Sequence, residues 1–144
     1  HPLYRRAGHD LYVDAPVSIF DAAVGGHVSV KTPDGDVPIE IRRLFYVRPA
    51  LAGETRGKHG HYRCTQVLIC LSGSCRIIVQ DGAATADYRL DRHDKGLVIP
   101  PTLWAEEIYE TQDTVLLVLC DQLFDADDYI DDFEAFMSLR ARVR

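Results

Sequence analysis

No stretch of this 144-residue chain is apolar for long enough to span a bilayer as a helix, which excludes a helical membrane protein. Cysteine is sparse: Cys64, Cys70, Cys75 and Cys120 form no C-x-x-C pair, and three of them sit inside apolar runs. That argues for reduced core thiols over disulfides or a structural zinc site. A surplus of basic residues is also missing. The net charge of −6 argues against general nucleic-acid binding. Residues His1 to Asp14 carry early charges and lack the apolar core of a signal peptide, so a cytoplasmic location is expected by elimination. Internal repeats, linkers and low-complexity segments are absent, and the length suits one domain over residues 1–144, with residues 1–16 a poorly assigned N-terminal extension.

What is present is a series of short apolar runs closed by turn residues. The runs are Ser18–Phe20, His27–Val30, Ile39–Val47, Gln66–Leu71, Cys75–Gln80, Gly96–Ile99 and Thr114–Cys120. Between them stand Gly25-Gly26, Pro33-Asp34-Gly35-Asp36, Ser72-Gly73, Asp81-Gly82, Asp94-Lys95-Gly96 and Pro100-Pro101. Many β-rich segments at regular spacing predict an all-β sandwich or barrel. Asp81-Gly82, after Cys75–Gln80, is the clearest hairpin signal and suits a tight turn. The tail differs. Asp125 to Met137 places Tyr129 or Ile130, Phe133, Phe136 and Met137 on one helical stripe, with acids at its start and arginines beyond its end. A short C-terminal helix is predicted there, with Tyr129 and Phe133 as packing residues.

Charge is unevenly spread. From Arg42 to Arg76 there are seven basic residues against one acid, Glu54, whereas Asp121 to Glu134 holds seven acids and no base. The basic segment suits an anionic small molecule; a solvated barrel surface is the alternative.

Within that segment His59 and His61 are two residues apart, ahead of the run Gln66–Leu71. On an extended chain they project to one face, which suits either metal ligation or paired proton handling near neutral pH. The stretch Gly53-x5-His59-x-His61-x4-Gln66-x6-Gly73 resembles the first cupin motif, in which two histidines and a glutamate hold a metal. Gln66 stands at the glutamate position, and Ala105 stands where the second motif supplies a further histidine. Gln is a poor ligand for a divalent transition ion and Ala is none, so the metal set is incomplete. The expectation is an enzyme without metal or other cofactor.

Further segments carry a more specific resemblance. Ile41-Arg42-Arg43-Leu44-Phe45-Tyr46-Val47, Arg56-Gly57-Lys58-His59-Gly60-His61 and Leu71-Ser72-Gly73-Ser74-Cys75-Arg76 occur in that order. They are followed by Gly96-Leu97-Val98-Ile99-Pro100-Pro101 with Trp104, and by Asp128-Tyr129-Ile130-Asp131-Asp132-Phe133. Together, from about Val24 to Leu139, the chain resembles the cupin-fold nucleotide-sugar 3,4-ketoisomerases. One departure is Gly25-Gly26, where that family often has Arg-Gly.

The resemblance implies a cupin-type small β-barrel, or jelly roll. It implies an activity that moves the keto group of dTDP-4-keto-6-deoxyglucose from C4 to C3 through an enediol(ate). It implies His59 as the base, with His61 and Tyr46 supporting proton transfer between the oxygens. It also implies a homodimer, in some members with N-terminal strands exchanged between subunits. From the residues themselves, Arg56 reads as a ligand for substrate oxygen or pyrophosphate, or else as a surface arginine. Arg43 has a weaker claim of the same kind, Trp104 reads as pocket lining or core, and Arg76 could face the same cavity. The alternatives to this function are a metal-dependent cupin enzyme and a non-catalytic cupin that binds a sugar or nucleotide.

Overall fold

The computed structural model describes residues 4–7, 10–15, 26–32 and 35–143. Their strands are, in chain order, β1 (Tyr4–Ala7), β2 (Asp10–Ala15), β3 (His27–Thr32), β4 (Gly35–Glu40), β5 (Arg43–Val47), β6 (Thr55–His61) and β7 (Gln66–Ser72). They continue as β8 (Cys75–Gln80), β9 (Thr85–Leu90), β10 (Gly96–Ile99), β11 (Trp104–Tyr109), β12 (Val115–Cys120) and, after a 3₁₀ turn at Ala126–Asp128, β13 (Tyr129–Ile130), before the α-helix α1 (Phe133–Val143). The strands form a six-stranded sheet in the order β1-β2-β10-β7-β12-β5 and a five-stranded sheet in the order β13-β6-β11-β8-β9, with β3 and β4 as a separate hairpin. Every pairing is antiparallel. The all-β expectation holds.

Why β7 and β12 read as unbroken apolar runs is visible in the packing. Leu68, Cys70, Leu116, Val118 and Cys120 face the interior between the sheets, with Ile77, Val79 and Tyr109 of the opposite sheet. Val67, Ile69, Leu117 and Leu119 face outward, where Ile39 and Ile41 cover them. A strand buried on both faces has no polar alternation to keep.

Several local expectations change. The run Ile39–Val47 divides into β4 and β5, with residues 41–42 between. The loop after Gln80 holds four residues, since Gln80 pairs with Thr85, and Asp81 closes it by accepting from the amides of Ala83 (2.8 Å) and Ala84 (2.7 Å). Residues 10–15, unplaced by the sequence, form β2, which joins the six-stranded sheet between β1 and β10. Ser18–Phe20 and Gly25 lie outside the described residues.

The tail departs most. The helix begins at Phe133, where Asp132 caps the amides of Glu134 and Ala135. Before it, Tyr129 and Ile130 pair with His61 and Gly60 as a strand. Helical periodicity there lost to a tertiary ladder. Helix α1 then seats Phe136 and Leu139 on Trp104 and Ile130, outside the five-stranded sheet. No helix among the described residues is long and apolar enough to cross a membrane.

Candidate active site

Strand β6 carries the histidine pair. His59 lies opposite Ala105 of β11, and His61 lies opposite Tyr129. Gly60 between them is required by packing, because a Cβ there would stand 2.5 Å from the carbonyl oxygen of Leu103. Its tight face lets both imidazoles project to the other side. Their ring centroids are 5.0 Å apart, edge to face. Tyr129 rests against both, at 5.1 Å from His59 and 4.4 Å from His61.

Arg56 joins them through an irregularity. Residues three apart on a regular strand face opposite ways. Here the register with β11 slips: Ala105 pairs with His59, Glu106 with Gly57, and Glu107 with Arg56, so that Lys58 is the extra residue of a β-bulge. Gly57 and Lys58 take positive φ values of 78° and 57°. The bulge turns Arg56 onto the side of His59. Both line a cavity of about 210 Å³ with Phe45, Gln66, Glu107 and Tyr129. Arg56 sits at its exposed rim, with Nε donating to Glu54 Oε1 at 2.7 Å.

His61 is 5% exposed, and its Nδ1 stands 3.1 Å from Asp128 Oδ2. Asp128 also accepts the amides of Arg63 (2.8 Å) and Cys64 (3.1 Å). A carboxylate facing Nδ1 puts the neutral ring's proton on that nitrogen and leaves Nε2 as an acceptor. Nε2 is buried and has no hydrogen-bond partner among the described residues. Burial, and secondarily the neighbouring His59, push the His61 pKa from 6.5 down to about 4, against the pull of Asp128. His61 is therefore neutral at physiological pH.

Glu107 faces the cavity from β11 and is 8% exposed. Its Oε2 accepts from the Tyr109 hydroxyl at 3.0 Å. Burial raises its pKa above the ordinary carboxylate range, opposed by Tyr109, His59 and Arg56.

The donor set suits protons better than a metal ion. Ala105 contributes no ligand atom, and the Gln66 amide points its nitrogen toward Cys120 Sγ at 3.9 Å. Donor atoms of His61, Cys64 and Asp128 do lie within 4.8 Å of one another. Asp128 is already committed to three hydrogen bonds, however, and the bond to Cys120 together with burial holds the Cys64 thiol protonated. Thiolate ligation would have to overcome both.

Three expected site residues lie elsewhere. Tyr46 is 66% exposed, because β5 alternates and turns Arg43, Phe45 and Val47 inward while Leu44 and Tyr46 face out. Arg76 lies between the inward Cys75 and Ile77, and pairs with Asp87 on the exposed side of β8. Trp104 is buried against Phe133 and Phe136 beneath α1, its indole nitrogen donating to Glu106 at 3.3 Å, so it packs and does not line the cavity. Arg43 does turn inward. It stands 5.2 Å over the Phe45 ring and 5.6 Å over Phe124, with Nη2 donating to Cys120 Sγ at 3.3 Å.

The structure adds Asp128, Tyr129 and Glu107 to the surroundings of the histidine pair. No local signal marks Tyr129, which the sequence pattern places in helix packing, since its position depends on a strand pairing with β6. Glu107 had a signal: it continues the alternation of Ala105 and Tyr109, whose side chains are both buried.

The family profile described as "FdtA: WxcM-like, C-terminal" matches residues 17–141. The TDP-4-oxo-6-deoxy-alpha-D-glucose-3,4-oxoisomerase of Aneurinibacillus thermoaerophilus is 35% identical over 108 residues, covering 75% of this chain and 78% of that protein. Among solved structures, QdtA, a sugar 3,4-ketoisomerase from Thermoanaerobacterium thermosaccharolyticum in complex with TDP, superposes with a TM-score of 0.74 at 25% identity. That match covers 92% of this chain and 96% of QdtA. WlaRB, a TDP-quinovose 3,4-ketoisomerase from Campylobacter jejuni, gives a TM-score of 0.69 at 28% identity, covering 88% and 97% of the two chains. Similarity on this scale places the barrel in the cupin-type fold expected from its motifs. With a family profile spanning residues 17–141, the chain belongs to the FdtA, WxcM-like C-terminal family.

Proposed function

We propose that this protein is an isomerase that moves the keto group of dTDP-4-keto-6-deoxyglucose from C4 to C3 by acid–base proton transfer. The observation that carries the reading is the cavity itself. A half-buried imidazole, an arginine at the rim and a buried carboxyl converge on about 210 Å³. Relatives named as TDP-sugar 3,4-ketoisomerases support the substrate class.

In this mechanism His59 removes the C3 proton and a proton is returned to C4 through an enediol(ate). A positioned group of this kind contributes about 10²–10⁴-fold to the rate. His61 assists as a fixed neutral neighbour. With its proton held by Asp128 and its charge suppressed by burial, it sets no second cation beside His59 when that ring takes up a proton. Arg56 binds the pyrophosphate or a sugar oxygen, a task its planar fork suits, and Arg43 offers a second cation next to Phe45.

The protein acts as a homodimer in this reading. Strand β5 ends the six-stranded sheet and exposes Leu44 (43%) and Tyr46 (66%), an apolar edge that a second copy would cover. Exchange of N-terminal strands would place a partner's β1–β2 hairpin against β10. The free thiols fit a reducing compartment such as the cytoplasm.

Incubation with dTDP-4-keto-6-deoxyglucose in deuterated water, followed by NMR, tests the function. A 3-keto product with deuterium at the former carbonyl carbon is expected. His59→Asn should fold and lose turnover. Sugar binding without isotope uptake would instead make the protein a non-catalytic binder, and turnover restored only by an added metal ion would make it a metal-dependent cupin.

A further inference from the structure

Two kinds of proton move in the reaction proposed above, and His59 handles one of them, the proton on carbon. The other passes between oxygens. The C4 carbonyl oxygen gains a proton as the enediol forms, and the C3 hydroxyl loses one as it becomes the new carbonyl. Tyr46, to which the family resemblance gives a part in this transfer, points to the far side of its strand.

The cavity holds another acid. Glu107 follows Ala105, the residue paired with His59, as the next inward position on β11, and is itself paired with Arg56. Its carboxyl group lies against the bulge, where a Cβ on Gly57 would stand 3.4 Å from Glu107 Cδ. Tyr109 donates to Oε2, which leaves Oε1 without a hydrogen bond to the described residues. A carboxyl group is a costly choice for a buried strand position unless something uses it, since burying a polar group costs free energy. Among the described residues its hydrogen-bond partner is a tyrosine on its own strand.

We propose that Glu107 is the catalytic group that carries the proton between the two substrate oxygens. As His59 takes the C3 proton, the C–H electron pair becomes the C3–C4 double bond and the carbonyl π pair moves onto the C4 oxygen. That oxygen takes the proton of Glu107 Oε1. The carboxylate left behind is steadied by the Tyr109 hydroxyl and by the positive charges of Arg56 and protonated His59. Collapse runs the other way: the C3 hydroxyl returns its proton to Glu107, C3 becomes the carbonyl, and C4 takes up a proton from the imidazolium. No electron leaves the substrate, and both protein groups regain their starting forms. Burial favours the protonated form of this carboxyl, the form that can donate.

This inference rests on the ketoisomerase reading, and the test separates the two. Turnover of dTDP-4-keto-6-deoxyglucose is measured from neutral to alkaline pH for the wild type, Glu107→Gln, Tyr109→Phe and Tyr129→Phe. The groups facing Glu107 are Tyr109 on its own strand, His59 and Arg56 on β6, Cys75 on β8 and Tyr129 across the cavity. Wild-type turnover should fall as rising pH ionises Glu107. Glu107→Gln should lose about 10²–10⁴-fold and show no alkaline limb, an outcome a merely structural role would not produce. Tyr109→Phe keeps the acid but removes a donor to its carboxylate, so its limb should move to higher pH. That arm stands even if Glu107→Gln fails to fold. A wild type that does not turn over the sugar overturns the ketoisomerase reading. An active wild type with Glu107→Gln equal to it, an unmoved limb in Tyr109→Phe, or a limb lost in Tyr129→Phe overturns the role of Glu107 alone.

Discussion

Lowering the pH from neutrality to about 4 should destabilise this protein by about 3 kcal/mol through His61, a residue that burial holds uncharged near neutrality. The unfolded chain protonates an ordinary histidine near 6.5, whereas the native ring resists until about 4. Between those values the unfolded state binds more protons than the native state, so stability rises with pH there and is lost as pH falls. A difference of 6.5 minus about 4, at about 1.4 kcal/mol per pH unit, gives the magnitude. Glu107 acts oppositely. Its raised native pKa makes stability fall as pH rises above the normal carboxylate range, so the raw profile mixes both groups. The measurement is therefore a difference: urea unfolding across the acid range for the wild type and for His61→Asn. The Asn amide can still donate toward Asp128 but cannot titrate. The wild type should lose about 3 kcal/mol more than the variant over this window, with most of the change between 6.5 and 4. Parallel profiles would refute the claim that burial, rather than the Asp128 ion pair, sets the charge state of His61.

Two further perturbations probe how the site is built. Asp128→Asn sets an NH₂ group against the Cys64 amide and His61 Nδ1, replacing a charged acceptor of three donors, and should cost about 2–4 kcal/mol. Thermal unfolding should show this as a drop of about 5–15 °C, together with a fall in turnover as the His61 tautomer is lost. Gly57→Ala adds a Cβ at φ +78°, 3.0 Å from the Ala105 carbonyl, and should cost about 1–3 kcal/mol while turning Arg56 away from the cavity. A rise in KM for the nucleotide sugar larger than the change in kcat would check that the bulge positions a binding residue.

Much of this protein could be read from local pattern. Turn residues between short apolar runs marked the strands, because hairpin closure and alternation are local properties. The spacing of His59 and His61 placed two imidazoles on one side of a strand, and Gln66 and Ala105 showed the weakness of any metal set. Which side of a strand faces the cavity was another matter. On β5 both faces are apolar or aromatic, Phe45 and Val47 against Leu44 and Tyr46, so periodicity alone left the choice to the sheet opposite. Trp104 looked equally suited to a pocket or a core until α1 covered it.

The union of Arg56 with His59 depended on a bulge whose register is defined only by pairing with β11. Tyr129 and Asp128 came from a segment with helical periodicity, but reached the histidines because Tyr129 pairs with His61 and Asp128 accepts the amides of Arg63 and Cys64. His61 and Asp128 are 67 residues apart along the chain. The sequence by itself determined that this is a β-barrel bearing a histidine pair. The tertiary structure decided what surrounds that pair, because burial and facing, which keep His61 uncharged and favour the protonated form of Glu107, are properties of contacts between distant strands.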